Sequence, residues 1–501
     1  MATEQGQVPD AYDALLEEYR RATYLSDAGS VLGWDQQVMM PEGGTPARSK
    51  QSAALSAVQH DVLTGDGIAD PLSELDEGSL PDPQSAVVRE IRREHERSAR
   101  VPRDLIERIS EESSNALPVW ERAKAEDDWG SFEPVLGTFV ELKREYAEHI
   151  DPERDPYEVL FADYEPYLPL ERAERILERL RDELVPLIEG IRASDVDLAL
   201  EFDGTYDEDD QMELTRDALD ALGYPWDRGR VDTAAHPFST GTQFDARVTT
   251  RFDESSPVSA LGSTIHEFGH ATYTLGLPDE EYGTPLGKHR GLSVHESQSR
   301  LWENHVGRSA AFVEGFLPRI EAQFPDLDLT ASGLHGHLNR VNPDNRIRVE
   351  ADELTYHMHI VLRFEIERDL IGGDLDVSEV PAVWNDRMDE YLGIRPETDG
   401  EGCLQDIHWS HGNFGYFPTY SLGSVMAAQL FEAARDGVDD LYGGVREGEF
   451  DPLHDWLTEN VHRHGQRYRT NELVKRATGS EFAADAFLDY ATSKFGDLYD
   501  L

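Results

Sequence analysis

The stretch "STIHEFGHATY", from Ser263 to Tyr273, places two histidines four positions apart, with a glutamate directly after the first. Four residues of an α-helix advance about 6 Å and turn about 400°, so His266 and His270 share one helix face. Glu267 lies about 100° round the helix, outside the same coordination sphere but within reach of a water at the ion. Neutral imidazoles bind zinc at ~2.0–2.1 Å, so the spacing predicts part of a metal site.

A third ligand is predicted from the segment that follows. After the loop "GLPDEEYGTPLGKHRG", the segment "LSVHESQSRLWENHVGR" has the pattern of a helix that carries Glu296 and turns Trp302 towards the core. A carboxylate from this second helix completes a set of two histidines and one glutamate, and it leaves one position open for water. The alternative is a chance HExxH match, with Glu296 an ordinary solvated acid.

Composition indicates a globular protein. Of the 501 residues, 39 % are hydrophobic and 29 % are charged, which is typical of soluble domains. No stretch approaches the roughly 20 apolar residues of a membrane span, and "MATEQGQVPDAYDALLEEY" lacks the features of a secretion signal. We therefore expect a cytoplasmic protein without membrane contact. The single cysteine, Cys403, excludes disulfide scaffolds and thiolate zinc clusters, and a small buried residue is expected there.

The formal net charge is −54, and lysine is scarce along the whole chain. A nucleic-acid mimic or a partner of basic proteins would explain the charge. Adaptation to a cytoplasm at molar salt explains it better, because a Debye length of about 3 Å screens the self-repulsion. The acids are also spread evenly rather than gathered in a tail. We expect an extreme halophile as the source, and we expect no binding of nucleic acid, which the same field repels.

The pattern along the chain predicts an all-α-dominated fold. "AYDALLEEYRRATYL" puts Leu15, Tyr19 and Ala22 on one stripe, and later segments repeat the amphipathic period of a helix. The clearest strand-like run is Arg230 to Phe252, where a short β-ribbon is expected near the catalytic helix, with "STGT" as its turn. No long linker is present. We expect residues 1–501 to form one domain of two helical lobes, not independently folding, around a deep groove.

At this point a family resemblance becomes specific. "HEFGH" followed by "HESQSRLWEN" resembles the carboxypeptidase Taq family of metallocarboxypeptidases. Four further segments match its motifs in the expected order: "LGWDQQVMMPEGGTPARSKQ", "HPFSTGTQFDARVTTRF", "NRIRVEADELTY" and "GCLQDIHWSHGNFGYFPTYSLG". The resemblance runs nearly end to end. It implies a metal-dependent carboxypeptidase that removes C-terminal residues from peptides with broad specificity, and it implies a homodimer.

The resemblance also implies roles for residues of the catalytic helix and beyond. His266, His270 and Glu296 would hold one divalent ion per chain, Zn²⁺ first and Co²⁺ as a substitute, and Glu267 would be the general base. His408 and Tyr420 are the candidates for stabilising the oxyanion. His411 competes with His408 for the first of these two positions.

Two arginines are implied in substrate binding. A free α-carboxylate is best held by a guanidinium, which binds it through two parallel hydrogen bonds. Arg348 in "RIRVEAD" and Arg247 in "DARVT" occupy the family positions associated with closing the substrate groove. Each has a plain surface ion pair as its alternative.

One position departs from a common pattern. Many zinc peptidases with a glutamate third ligand carry an aspartate one turn after it, which supports a ligand histidine, whereas this chain has Arg300 there. Another carboxylate must then orient the imidazoles, and Glu303 and Asp352 are both candidates.

Two rival functions also stay open here: an oligoendopeptidase on the same scaffold, and an acidic binding protein with a vestigial site.

Overall fold

Helices cover most of the chain in this computed structural model, which describes residues 9–501. Before the sheet the α-helices are α1 Asp10–Val38, α2 Thr45–Thr64, α3 Asp66–Glu74, α4 Asp82–Arg100, α5 Arg103–Glu126, α6 Trp129–Ile150, α7 Pro156–Tyr164, α8 Leu170–Ala193 and α9 Glu208–Ala221. After it they are α10 Ser259–Leu275, α11 Leu292–Arg300, α12 Ala310–Gln323, α13 Ala331–Leu338, α14 Thr355–Gly372, α15 Val380–Leu392, α16 Pro418–Gly437, α17 Leu441–Glu447, α18 Asp451–Asn460, α19 Thr470–Thr478 and α20 Asp485–Tyr499. Within this range no helix is both long and apolar enough to cross a bilayer.

The apolar side chains form one large core and two smaller ones. The predicted stripe on α1 is buried: Leu15, Tyr19 and Ala22 pack in a separate small core with residues of α3 and α4. The large core runs from α5 to α20 and includes the sheet and Cys403, which is buried as expected. The subdivision into two lobes that do not fold independently stays a prediction.

The small sheet lies against the helix that carries the two histidines. Its strands are β1 Gly229–Thr233, β2 Ser239–Thr242 and β3 Asp245–Thr250. The central strand β3 pairs in parallel with β1 and antiparallel with β2, and it packs on α10. The predicted helical fold with a small β-element beside the catalytic helix is therefore confirmed.

The expected turn at "STGT" is wrong, because these four residues are strand β2 itself. The reversal lies one step later, between Thr242 and Asp245. Gly241 is required by a close approach to the neighbouring strand, since a Cβ there would lie 1.9 Å from the Asp245 carbonyl oxygen. A glycine in a short polar run resembles a turn signal, although here it allows two strands to meet.

Two glycines allow the helices around the site to approach closely. A Cβ on Gly269 of α10 would lie 2.5 Å from the Ser299 Cα on α11. A Cβ on Gly423 of α16 would lie 2.4 Å from the Glu296 Cγ. Helix α11 is thus held between α10 and α16 at backbone distance, which fixes the position of Glu296 relative to the histidines of α10.

Helix α11 continues without a break into a π-helical segment, Leu301–Gly307. π-Helical segments are rare, and those that are known lie frequently at functional sites. Glu296, Arg300 and Glu303 follow one another at spacings of four and three residues, which places them on one face of the continuous helix. All residues of the π-helical segment are buried, so its charged side chains must find partners inside the protein.

We predict that Gly269→Ala destabilises the protein by about 1–3 kcal/mol, because the added methyl collides with the backbone of α11 and cannot be accommodated by a side-chain rotation. Gly262→Ala on the same helix is the matched control. No atom lies within 4 Å of the Cβ that it adds, so the better helix former should stabilise by up to about 1 kcal/mol. Chemical denaturation of both variants measures the difference. Equal effects of the two substitutions would contradict the close approach.

Candidate metal centre and active site

Three side chains from α10 and α11 converge on one point. The ligand atoms of His266, His270 and Glu296 all lie within 4.8 Å of one another. The Glu296 Oε2 is 3.7 Å from the His266 Nε2 and 3.4 Å from the His270 Nε2. Ligands bound at ~2.0–2.2 Å in a tetrahedron lie about 3.4 Å apart, so the spacing fits a small divalent cation.

Each histidine is oriented through its other ring nitrogen. The His266 Nδ1 lies 2.8 Å from the Glu303 Oε2, and the His270 Nδ1 lies 3.1 Å from the backbone oxygen of His295. An Nδ1–H that donates to these acceptors leaves each Nε2 with a free lone pair directed at Glu296. These acceptors favour the tautomer that binds a metal through Nε2. The His270 Nδ1 also lies 2.5 Å from the His295 Nδ1.

Glu303 is the carboxylate that contacts His266, whereas Asp352 binds backbone amides elsewhere. The Asp352 carboxylate accepts from the backbone amides of Leu354 and Thr355 at the start of α14. Of the two candidates from the sequence, the structure therefore selects Glu303.

Arg300 fills the position where an aspartate was expected, and it binds two carboxylates. Its Nε donates to the Glu296 Oε1 at 2.8 Å, and its Nη1 donates to the Glu303 Oε2 at 3.2 Å. Arg308 donates to the other Glu303 oxygen at 2.6 Å. Burial disfavours the charged form of Glu296, but the Arg300 charge and the two imidazoles outweigh it and lower the pKa to about 2. Glu296 is therefore an anion at neutral pH.

Glu267 follows His266 on α10 and is 7 % exposed. Within residues 9–501 its carboxylate accepts no hydrogen bond, in contrast to Glu296 and Glu303. Burial raises its pKa above the usual range, while the neighbouring imidazoles act in the opposite direction. An unpaired carboxylate with a raised pKa beside a candidate metal site is suited to accept and return a proton.

A cluster of tyrosines and arginines lies beside the three candidate ligands. Arg300 lies over the Tyr356 ring at 5.0 Å, and the Tyr356 hydroxyl accepts from the Arg348 Nη1 at 3.0 Å. The Tyr420 ring lies 5.8 Å from that of Tyr356 and 5.2 Å from that of Tyr416. The structure therefore brings Tyr420 and Arg348 together, and Tyr356 and Arg300 connect them to Glu296.

His408 and His411 differ in their surroundings. The His408 ring lies 5.4 Å from the Tyr416 ring, and burial lowers its pKa to about 4, so it is neutral near pH 7. Its Nδ1 is buried without a hydrogen-bond partner in the described chain. The His411 Nδ1 instead contacts the Ser113 hydroxyl of α5 at 3.2 Å. His408 thus lies with the tyrosine cluster, whereas His411 contacts α5.

Arg247 lies apart from Arg348. Its guanidinium is paired with both oxygens of Asp245 and lies over the Trp34 ring at 4.4 Å. These residues line a cavity of about 270 Å³ between α1 and the sheet. A neighbouring cavity of about 380 Å³ shares Tyr282 and Thr240 with it and reaches His295, which contacts His270. Arg247 therefore lines a cavity whose neighbour reaches His295, beside the candidate ligand His270.

Two residues of the site were missed in the sequence. Tyr356 bridges the two arginines, and Asp406 binds Arg348 Nε at 2.9 Å and lies 3.8 Å from His408 Nδ1. Both lie inside quoted motifs, as the final letter of "NRIRVEADELTY" and in "QDIHW". The spacing of these motifs along the sequence does not indicate that Asp406 binds Arg348. The contact becomes apparent only in the fold.

Comparison with known proteins shows the family of this chain. The sequence model of the family described as carboxypeptidase Taq (M32) metallopeptidase matches residues 14–495. Thermostable carboxypeptidase 1 of Thermus thermophilus is 38 % identical over 98 % of this chain and 99 % of its own, and the Pyrococcus furiosus protein of that name is 37 % identical over 96 % and 97 %. A Pyrococcus furiosus carboxypeptidase structure superposes with a TM-score of 0.94, 36 % identity and coverage of 98 % and 99 %. This chain belongs to the carboxypeptidase Taq (M32) family of metallopeptidases.

Proposed function

We propose that this protein is a metal-dependent carboxypeptidase that removes C-terminal amino acids from peptides with broad specificity. The observation that carries the proposal is the convergence of two imidazole nitrogens and one carboxylate oxygen, with the unpaired Glu267 next to them. Family membership over residues 14–495 supports the same activity.

We propose His266, His270 and Glu296 as the residues that hold one divalent ion, with Zn²⁺ as the native metal and Co²⁺ as a substitute. Two neutral imidazoles and one carboxylate, spaced as a tetrahedron requires, form a donor set that zinc uses in hydrolases. When bound, such an ion supplies Lewis-acid chemistry: it polarises a peptide carbonyl and makes a water molecule more acidic.

Glu267 is the proposed general base. Its carboxylate takes a proton from the attacking water and later returns it to the nitrogen of the departing amino acid. The pKa of Glu267, raised by burial, brings its basicity closer to neutral pH and so favours both transfers. Glu296 cannot serve in this role, because its pKa of about 2 keeps it an anion without a proton to return.

Tyr420 and His408 are the proposed donors to the oxyanion. Burial raises the pKa of Tyr420 well above its usual value, so the phenol keeps its proton. His408 is a neutral imidazole that carries one N–H. A fixed donor aimed at a developing oxyanion contributes about 2.7–4 kcal/mol to transition-state stabilisation, and both residues lie in the cluster beside Glu296.

Arg348 and Arg247 are proposed to bind the peptide and its free carboxylate. Arg348 is buried between Asp406 and Tyr356, which hold its guanidinium rigidly beside Tyr420. Arg247 is held by Asp245 against Trp34 in the cavity between α1 and the sheet. Two guanidiniums at separate positions favour a substrate groove of limited length, closed at the position of the C-terminal carboxylate.

Further proposals concern the setting in which the enzyme works. We propose a homodimer, for which the family resemblance is the support. We also propose a halophilic source with a salt-rich cytoplasm, for which the net charge of −54 and the scarcity of lysine are the support. Peptides with a free C-terminal carboxylate are the proposed substrates. The acidic field disfavours nucleic acid as a partner.

An exopeptidase and an oligoendopeptidase can share a catalytic helix of this kind. They differ in whether the substrate must have a free C-terminal carboxylate. We predict that amidation of a peptide's C-terminus lowers its hydrolysis at least about a hundredfold, because the arginines lose the charge they bind. The assay compares one N-blocked peptide as acid and amide at equal concentration, and it identifies the released amino acid. Cleavage of the amide at the rate of the acid would contradict the carboxypeptidase proposal and favour the endopeptidase.

We predict that Glu267→Gln lowers kcat about 10²–10⁴-fold without loss of metal, because proton transfer fails while the ligand set stays complete. Metal content by mass spectrometry is the internal control. Near-normal turnover with metal bound would show that another group accepts the proton.

We predict that Glu303→Gln weakens metal binding about 10–100-fold, because the amide supports the His266 imidazole less strongly than the carboxylate does. Competition with a chelator measures the affinity, and thermal unfolding checks that the variant is folded. The exposed Glu321→Gln on α12 is the matched control and should leave the affinity unchanged. A folded Glu303→Gln with wild-type affinity would refute the supporting role of this residue.

A further inference from the structure

A further polar cavity lies next to the candidate metal site, and none of the candidate ligands lines it. The cavity has a volume of about 590 Å³ and is bounded by the π-helical segment, the start of α12, α16 and α20. Glu303 of the π-helical segment contacts His266, whereas the next two residues, Asn304 and His305, line the cavity. The cavity is large enough for a small organic molecule.

The lining of this cavity is richer in basic residues than the chain as a whole. Four basic side chains and two acidic ones line it, although acidic residues outnumber basic ones 100 to 46 in the whole chain. The basic residues are Arg308, Arg435, Arg446 and Lys494, and the acidic ones are Glu432 and Asp489. Glu303, Glu314 and Glu353 pair with three of these basic residues. The concentration of basic side chains at one cavity is still a specific feature in a chain of net charge −54, and not a consequence of composition.

Several donors in the cavity are free. Lys494 is neutralised by Glu353 and Arg446 by Glu314. Arg308 donates a hydrogen bond to Glu303 through its Nη2 alone. Its other two guanidinium nitrogens have no acceptor within the described chain. Arg435 forms no ion pair within the described residues and lies over the Tyr442 ring at 5.3 Å. Two guanidiniums thus keep donors available to a ligand.

The start of α12 adds backbone donors. Ser309, Ala310 and Ala311 line the cavity, and the Ser309 hydroxyl caps the helix by accepting from the Phe312 amide at 3.1 Å. The amides of Ala310 and Ala311 have no partner in the described chain, and the first turn carries no acidic residue. Unsatisfied amides and the helix dipole favour an anion at this end of a helix.

Two buried polar side chains in the cavity also lack partners. Asn304 is 4 % exposed and its Oδ1 accepts no hydrogen bond. His305 is 4 % exposed, stacks on the Phe431 ring at 5.1 Å, and forms no hydrogen bond in the described chain. Buried polar groups are normally bonded, so these two side chains leave hydrogen-bonding capacity at the cavity wall: the Asn304 oxygen as an acceptor, and the amide nitrogen of Asn304 and the ring N–H of His305 as donors.

The remaining wall is aromatic. Phe431, Tyr442 and Tyr490 line the cavity together with the His305 ring.

We propose that this cavity binds a small organic anion. In this ligand a carboxylate or phosphate contacts Arg308, Arg435 and the start of α12, and a planar apolar body packs on the aromatic wall. Because Arg308 also binds Glu303, and Glu303 contacts His266, the bound anion has a short electrostatic route to the metal site.

The test changes charge at Ala310, which is exposed at the first position of α12. Ala310→Glu places an acid in the cavity and, because acids favour a helix start, keeps or raises stability. Ala310→Gln has the same shape without the charge and is the matched control. Isothermal titration of the metal-loaded enzyme with phenyl phosphate should give about tenfold weaker binding for Ala310→Glu than for wild type and Ala310→Gln. The titration measures binding without peptide hydrolysis, so its failure is distinguishable from failure of the proposed function.

Two further titrants identify the chemistry of the ligand. Benzoate offers a carboxylate in place of the phosphate and has no amide bond to hydrolyse. The preferred head group is the one whose affinity differs more between Ala310→Gln and Ala310→Glu. Inorganic phosphate lacks the apolar body and should bind more weakly than phenyl phosphate. Equal binding of phenyl phosphate to all three proteins, or no binding at about 10 mM, would overturn the site. Equal affinity for inorganic and phenyl phosphate would overturn the role of the aromatic wall.

Discussion

Arg300 donates to two buried carboxylates at once, and through them it acts on two of the three ligands of the candidate metal site. Glu296 is one of those ligands, and Glu303 orients His266, another. Without a cation between them, two carboxylates in a buried site would repel each other, and one would take up a proton. A protonated Glu296 is a poor metal ligand. The guanidinium therefore sets the charge state on which any binding of a divalent ion depends.

The same arginine begins a network that extends across the active site. Tyr356 joins Arg300 to Arg348, and Asp406 joins Arg348 to Arg363 of α14. Asp406 keeps its charge, because burial is outweighed by the two arginines and its pKa lies well below the usual range. Alternating charges of this kind satisfy one another without solvent. They also hold the segments before α14 and α16 in fixed positions, so that groups distant in sequence meet at one wall.

The sequence predicted the parts of the site that depend on local spacing. The helical period placed His266 and His270 on one face, and the next helix placed Glu296, because four-residue spacing and helix order follow from the chain itself. The sequence could not distinguish Glu303 from Asp352, since the choice depends on the register of α11 against α10, which a close approach at Gly269 sets. For the same reason "STGT" was misread: the need for Gly241 arises from a neighbouring strand and not from its own segment.

Burial divides the charges of this protein into two groups that respond differently to salt. Exposed pairs such as Arg103 with Glu107, whose side chains are 80 % and 67 % exposed, contribute little and are screened further as salt rises. The pair of Arg290 and Glu90 is 1 % and 5 % exposed, and ions in solution cannot enter between its partners. The pairs around Glu296 and Glu303 are of this second kind. Salt that screens the exposed charges of a chain of net charge −54 therefore has less effect on the ion pairs beside the candidate metal ligands.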